Sequence, residues 1–218
     1  MTAFWIKIIA IISMTFDHGA YHLLEPSFAY ELLRGFGRLA MPLFSFLIAE
    51  GYYYTKSVKK YFMRIFLFGL VIESFLLVIY LITEDNYLIN TNIFLTLSLG
   101  LGALILVKGD KVWLGLLLIA SALVIPVDFG IYGVLLIVGF GFIREMDRKI
   151  LLSFIFLMLL NLIFVEIVPY LDNRQWLSIF AIVPIVLYNG KEGRKMKYFL
   201  YLYYPLHLII IFMISYIV

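Results

Sequence analysis

The sequence predicts an all-α protein, a polytopic transmembrane helical bundle of about nine spans. Of the 218 residues, 64% are hydrophobic and 14% are charged, and the mean hydropathy is +1.04. Soluble domains usually carry about 25% charged residues. Apolar runs recur at close to the ~20 residues that a bilayer requires, and basic clusters follow alternate runs. No soluble core of this length could bury so much apolar surface, so we expect a single integral-membrane domain over residues 1–218.

The predicted spans follow one another with short connections. The first has no small-residue cleavage site and is expected to remain as a helix rather than to be removed as a signal peptide. The sixth is short and rich in glycine, which indicates tight packing against a neighbour or incomplete crossing. The nine spans cover residues 3–23, 30–54, 61–82, 91–107, 112–127, 130–143, 150–170, 175–189 and 198–217.

Charge in the connections predicts the orientation. Most of the 17 Lys and Arg residues fall on one side, and the connections on the other side are acidic or neutral. By the positive-inside rule the N-terminus is cytoplasmic and the C-terminus external. The basic side holds Lys7, Lys56, Lys59, Lys60, Arg64, Lys108, Lys111, Arg144, Arg148, Lys149, Lys191, Arg194, Lys195 and Lys197, and the other side holds Glu25, Glu84, Asp85, Asp128 and Asp172.

The second span carries three ionisable residues, Arg34, Arg38 and Glu50, and contains Pro42. Such residues cost roughly 2.5–3.5 kcal/mol each on insertion scales, so they are expected to face a protein interior or a polar cavity. Pro42 is predicted to kink the helix because it removes one backbone hydrogen bond. Arg38 is predicted to pair with Asp17 of the first span, whereas Arg34 is expected to reach the outer headgroups.

Three further polar residues are candidates for contact with a substrate. Glu50 either lines the cavity or balances a nearby lysine. Glu73 lies near the middle of the third span and needs a proton or a partner. Asn92 either orients an acceptor or caps the fourth span.

The histidines are the candidate bases. Asp17 and His18 are neighbours, so they project about 100° apart on a helix and cannot pair directly. His18 is predicted in the outer half of the membrane, where we expect it to act as the general base. His207 follows Pro205 and is expected about 13 Å from the inner surface, closer to the cytoplasm. His22 is expected at the outer interface without a catalytic role.

The loop YNGKEGRKMKY, residues 188–198, combines two glycines with four cations. Backbone amides in a glycine turn, together with Lys and Arg, suit a phosphate-bearing ligand. The same pattern is also typical of an ordinary cytoplasmic loop. The candidate cofactor-binding residues are Asn189, Lys191, Arg194, Lys195 and Lys197, with Tyr204 of the last span. Three histidines at scattered depths predict no metal site, and a net charge of +3 gives no indication of nucleic-acid binding.

Four segments in order resemble the TraX family: FDH, GRLAMPLFSFLIAEG, NIFLTLSLG and LYNGKEGRKMKYFLYLYYPLHL. The resemblance covers nearly the whole chain. It implies a multipass protein of the bacterial cytoplasmic membrane that acetylates a protein amino terminus, such as that of pilin, with acetyl-CoA as the cytoplasmic donor. The residues carried over by the resemblance are Asp17, His18, Arg38, Glu50, Asn92, Tyr204 and His207.

The leading hypothesis is therefore a membrane N- or O-acetyltransferase in which Asp17, His18, Arg38 and His207 perform the catalysis. The alternative is a proton- or ion-coupled transporter whose relay runs through the intramembrane ionisable residues. A third hypothesis is an assembly factor that binds a partner's helix through small-residue faces. Binding of acetyl-CoA would distinguish the first hypothesis from the other two.

Overall fold

The computed structural model describes residues 1–83, 92–167, 171–215 and 217, which form helices, turns and loops with no strand among them. The side chains of residues 82, 83, 197 and 198 lie outside this description, as do the predicted outer-loop residues Glu84 and Asp85. Four stretches are long and apolar enough to cross a membrane: Ala3–Leu23, Phe28–Tyr54, Val58–Leu81 and Lys149–Ile167. The all-helical membrane class is thus confirmed, while the count of about nine spans stays a prediction.

The helices, in chain order, agree with most of the predicted spans. They are α1 (Ala3–Leu23), α2 (Phe28–Gly37), α3 (Ala40–Tyr54), α4 (Val58–Thr83), α5 (Ile93–Lys108), α6 (Val112–Ser121), α7 (Gly130–Ile143), α8 (Lys149–Asn161), α9 (Ile182–Val186) and α10 (Lys197–Ser215). A π-helical turn, Leu162–Ile167, continues α8, and a 3₁₀ helix, Asn173–Ala181, precedes α9. The predicted eighth span, 175–189, is therefore a 3₁₀ helix followed by a five-residue α-helix.

The second predicted span is broken before Pro42 rather than kinked at it. Helix α2 ends at Gly37, and the amides of Arg38 and Leu39 bond three residues back, to Gly35 and Phe36. Pro42 has no N–H with which to bond the Arg38 carbonyl, so the regular ladder cannot run through Arg38. Pro42 instead occupies the first turn of α3, where a missing N–H has no cost.

The chain divides into two compact units. Unit 1 comprises residues 1–47 and 148–218, and unit 2 comprises residues 48–147. In unit 1, α1 packs against α2 and α10, and the 3₁₀ helix packs against α2, α8 and α9. In unit 2, α5 packs against α4, α6 and α7. The predicted single domain over residues 1–218 stays a prediction.

Glycines let the helices of unit 2 approach closely. A Cβ added at Gly100 of α5 would overlap Ile137 of α7, and one added at Gly141 of α7 would lie 2.5 Å from Leu104 of α5. Leu104 and Ile137 are completely buried. The tight packing predicted for the short sixth span is therefore observed between α5 and α7.

Candidate functional site

Helix α1 brings Asp17 against α2 in unit 1. The Asp17 carboxylate pairs with Arg38, as predicted, and also with Arg34, whose Nη1 lies 2.8 Å from Oδ1. Arg34 does not extend to solvent, because its side chain is only 11% exposed and its guanidinium lies over the Tyr21 ring at 5.1 Å. The expectation that Arg34 reaches the headgroups is wrong, since its spacing of four from Arg38 puts both side chains on one helical face.

A glycine makes the approach of Asp17 to α2 possible. A Cβ added at Gly37 would overlap the Cβ and carboxylate of Asp17. The absence of a side chain there lets the carboxylate lie against α2, between Arg34 and Arg38. The α1–α2 contact therefore depends on a glycine as well as on the three charged groups.

His18 and His207 are in direct contact. Nδ1 of His18 lies 3.0 Å from Nε2 of His207, and the two rings are nearly parallel, with 5.2 Å between their centroids. The two residues are only 9% and 4% exposed. The predicted difference in depth between them is absent, because Tyr203 and His207 of α10 are level with Thr15 and His18 of α1. At about 1.5 Å per residue, these two pairings place the first residue of α10 about 8 Å beyond the first residue of α1 along the α1 axis.

The hydrogen-bond partners determine which nitrogen carries each proton. The Tyr203 carbonyl lies 3.1 Å from His207 Nδ1. A carbonyl oxygen can only accept, so Nδ1 of His207 donates, and Nε2 of the neutral ring holds the lone pair. Nε2 then accepts from the Nδ1–H of His18. This order leaves the lone pair of His18 on Nε2, the nitrogen directed away from His207.

Aromatic rings of α10 hold the histidine pair in place. Tyr203 lies four residues before His207 and stacks on it at 5.3 Å with an interplanar angle of 7°. Its hydroxyl lies 2.6 Å from Oγ1 of Thr15, which itself donates to the Ile11 carbonyl. Tyr203 is therefore the donor to Thr15. Neither residue was predicted from the sequence to belong to the site, although each lies about one helical turn from a candidate histidine.

Tyr204 belongs to this cluster and not to the basic loop. Its ring contacts His207 edge-on at 5.4 Å, and the residue is only 3% exposed. The role of Tyr204 in cofactor binding stays a prediction. Its position indicates a packing contact with the histidine pair.

The basic loop closes on the first residues of the chain. The carbonyls of Lys191 and Glu192 accept from the amides of Ala3 and Phe4 at 2.9 and 3.0 Å, which satisfies donors at the start of α1. Gly193 has φ +73°, and a Cβ there would lie 2.5 Å from Oγ1 of Thr2. The loop's glycine therefore serves this closure, a role that the sequence reasoning missed.

Side chains of the same loop remain available at the surface. Lys191, Arg194 and Lys195 are exposed, and Oδ1 of Asn189 accepts from the Lys191 amide at 3.1 Å. That bond engages one of the backbone amides expected to hold phosphate. The side chain of Lys197, also predicted here, lies outside the described residues.

Unit 2 holds the other candidates, each with a partner of its own. Arg144 lies 2.6 Å from Glu50, which corrects the alternative that Glu50 balances a lysine. Arg144 also stacks over the Tyr53 ring at 4.4 Å. Nearby, the hydrogen bond from Lys108 lowers the pKa of the Glu145 carboxyl.

Asn92 caps a helix, which was one of its two predicted roles, and it also bonds to α4. Its Oδ1 caps α5 by accepting from the Phe94 amide, and its Nδ2 donates to Glu73 at 2.9 Å and to the Gly69 carbonyl at 2.7 Å. Glu73 thus has the partner that its burial demands. Contacts of Glu50, Glu73 and Asn92 with a substrate stay predictions.

Comparison with known proteins agrees with the motifs in the sequence. The model of the TraX family, described as TraX protein, matches residues 3–215. A curated relative from Dichelobacter nodosus, "Probable fimbrial assembly protein FimC, serogroup H1", is 29% identical over 239 residues, which cover 95% of this chain and 93% of the relative. No solved structure matches. Because the family match spans almost the entire chain, the protein belongs to the TraX family.

Proposed function

We propose that this protein is an integral membrane acetyltransferase that moves an acetyl group from cytoplasmic acetyl-CoA to an amine, such as a protein N-terminus, or to a hydroxyl. The relative named as a fimbrial assembly protein supports a pilin-related acceptor. In this proposal about nine apolar segments cross the bacterial cytoplasmic membrane, with the N-terminus cytoplasmic and the C-terminus external.

The observation that carries the proposal is the buried histidine pair. The bonds from His18 to His207 and from His207 to the Tyr203 carbonyl place a lone pair on His18 Nε2. A neutral imidazole held by a second group is suited to general-base catalysis near neutral pH. His207 then acts on His18 by orienting it, much as a third group orients the base in other acyl-transfer sites.

Acetyl transfer requires a proton to move in each direction. Nε2 of His18 takes a proton from the acceptor nitrogen or oxygen as that atom bonds to the acetyl carbonyl carbon. The carbon–sulfur bond of the donor breaks, and the proton on Nε2 passes to the departing thiolate. The Nδ1–H of His18 and Nε2 of His207 share the positive charge while the proton is held, which lowers the cost of charging a buried ring.

Substitution of the three histidines tests this assignment. In proteoliposomes with labelled acetyl-CoA and a membrane extract, His18→Gln should lose acetyl transfer by a factor of about 10²–10⁴ because the base is gone. His207→Gln should also lose activity, and the double variant should be no worse than His18→Gln, since the two residues act as a unit. His22→Gln is the matched control and should remain active.

Two results would contradict the proposal. Near-normal transfer by His18→Gln with complete loss in His207→Gln would make His207 the base. Proton-coupled flux in the same proteoliposomes without acetylation of any component would instead support the transporter.

The basic loop is the proposed contact for the phosphates of acetyl-CoA. Replacing the exposed Lys191, Arg194 and Lys195 with Gln should weaken CoA binding by about 10-fold or more, because charge-assisted hydrogen bonds are lost. High salt should have a similar effect on the unmodified protein. A Gln variant of Lys56, Lys59 and Lys60 removes the same charge elsewhere and should bind CoA normally. If both variants bind CoA equally, the cations of the loop serve only to orient the protein in the membrane.

A further inference from the structure

The ion cluster of Asp17, Arg34 and Arg38 has more positive than negative charge. Two guanidinium groups share one carboxylate, so these three groups carry a formal charge of +1, and their side chains are only 13%, 11% and 9% exposed. Burying an uncompensated charge is costly, and a buried ion pair is retained only with good geometry and further hydrogen bonds. Glu31 of α2 adds a negative charge that acts on Arg34, although its own hydrogen bonds go to Arg174. The two guanidinium groups still favour a further negative charge beside Arg34.

Arg34 provides a specific point of attachment. Its Nη1 is engaged by Asp17, whereas its Nε–H is buried and has no hydrogen-bond partner. Leaving a buried donor unsatisfied typically costs about 1–3 kcal/mol, more for a charged group. Nε lies on the guanidinium edge that it shares with Nη2, and this edge binds a carboxylate or phosphate through two parallel hydrogen bonds.

We propose that Arg34, supported by Arg38 and Asp17, binds a carboxylate of the acceptor. The two oxygens of a carboxylate match the Nε–Nη2 edge, and its negative charge is attracted by both guanidinium groups. Asp17 is the chain neighbour of His18, so a carboxylate held at this cluster would anchor the acceptor near the general base. The inference rests on the proposed function and names its substrate class: an acceptor with an acidic group close to the acetylated position.

Paired peptides test the proposal without any acetyl transfer. The probes are fluorescent eight-residue apolar peptides with a free amino terminus and one glutamate at positions 2 to 6, each with a glutamine counterpart, and binding to the full-length protein in detergent is followed by anisotropy. At least one glutamate peptide should bind about 10- to 100-fold more tightly than its counterpart, the range expected for a hydrogen bond to a charged group. Arg34→Gln should abolish this difference.

Matched variants separate the binding site from folding and from catalysis. Arg34→Lys keeps the charge but loses the two parallel N–H donors of the guanidinium group, so it should retain only part of the preference for glutamate. Elution of this variant as a single species confirms that it folds. Arg64→Gln removes an exposed arginine that lies over the Tyr61 ring in unit 2 and should keep the full preference. His18→Gln should bind the peptides normally, so that failure of catalysis and failure of this site are distinguishable.

Two outcomes of these experiments would overturn the proposed carboxylate site. Equal binding of every glutamate peptide and its glutamine counterpart would rule out a binding site for an acceptor carboxylate. Binding of phosphatidylglycerol in nanodiscs that Arg34→Gln abolishes, with no such binding of the zwitterionic phosphatidylcholine, would reassign the cluster to an anionic lipid headgroup.

Discussion

At the scale of single residues, Gly37 decides whether the charged cluster can form. An added Cβ would overlap the Asp17 carboxylate, so Gly37→Ala should force α1 away from α2. We expect a loss of about 1–3 kcal/mol of stability, the usual cost of overpacking, together with loss of the proposed acetyl transfer. Thermal unfolding of the purified protein in detergent measures the first effect.

Gly19→Ala is the matched control for this change. Gly19 also lies in α1, but a Cβ there meets nothing within 4 Å. Alanine at a helical position that it can adopt without strain stabilises by roughly 0.5–1 kcal/mol, so this variant should be at least as stable as the unmodified protein. Equal melting of both variants would show that Asp17 does not depend on Gly37.

At the scale of helices, the close approach of α6 to α5 depends on a glycine that lies against backbone atoms. A Cβ at Gly115 of α6 would lie 2.9 Å from the Val107 amide nitrogen and 3.2 Å from the Ala103 carbonyl oxygen of α5. Backbone cannot move aside as a side-chain tip can, so Gly115→Ala should separate α6 from α5 and lower the unfolding temperature. Leu114→Ala removes a side chain that is 51% exposed and should have the smaller effect. A larger loss of unfolding temperature in Leu114→Ala than in Gly115→Ala would contradict the close contact of α6 with α5.

Helix α5 illustrates what periodicity can predict. It is apolar on all sides, as is typical of a helix surrounded by others, and it packs against α4, α6 and α7. Its buried small residues, Ser98, Gly100 and Gly102, agree with that position. The predicted eighth span was less accurate, because hydropathy does not distinguish an α-helix from a 3₁₀ helix.

At the scale of the whole molecule, orientation in the membrane is the central prediction. The chain has no cysteine, so single cysteines can be introduced without background. In intact cells, Glu25→Cys should react with a membrane-impermeant maleimide, whereas Lys60→Cys and Lys195→Cys should react only after lysis, because basic loops remain in the cytoplasm. Glu25 and Lys195 in unit 1 are exposed, and so is Lys60 in unit 2. Labelling of Lys60→Cys in intact cells would contradict the predicted orientation.

The sequence by itself determined the class of the protein and which of its polar groups needed a partner. A hydrophobic fraction of 64% requires a membrane, the order of four motifs indicated the TraX family, and the cost of buried charge predicted the pair of Asp17 with Arg38.

Only the tertiary structure decided the other partners. Arg34 joins Asp17 because Gly37 lets α1 and α2 approach. Glu50 pairs with Arg144, 94 residues away. His18 meets His207 because α10 begins further along α1 than α1 itself does, and the loop before α10 closes on the first residues of the chain. Local spacing and the cost of desolvation indicate that a buried polar group needs a partner. Which group becomes that partner depends on the packing of helices that are distant in the chain. Such packing leaves no local pattern in the sequence.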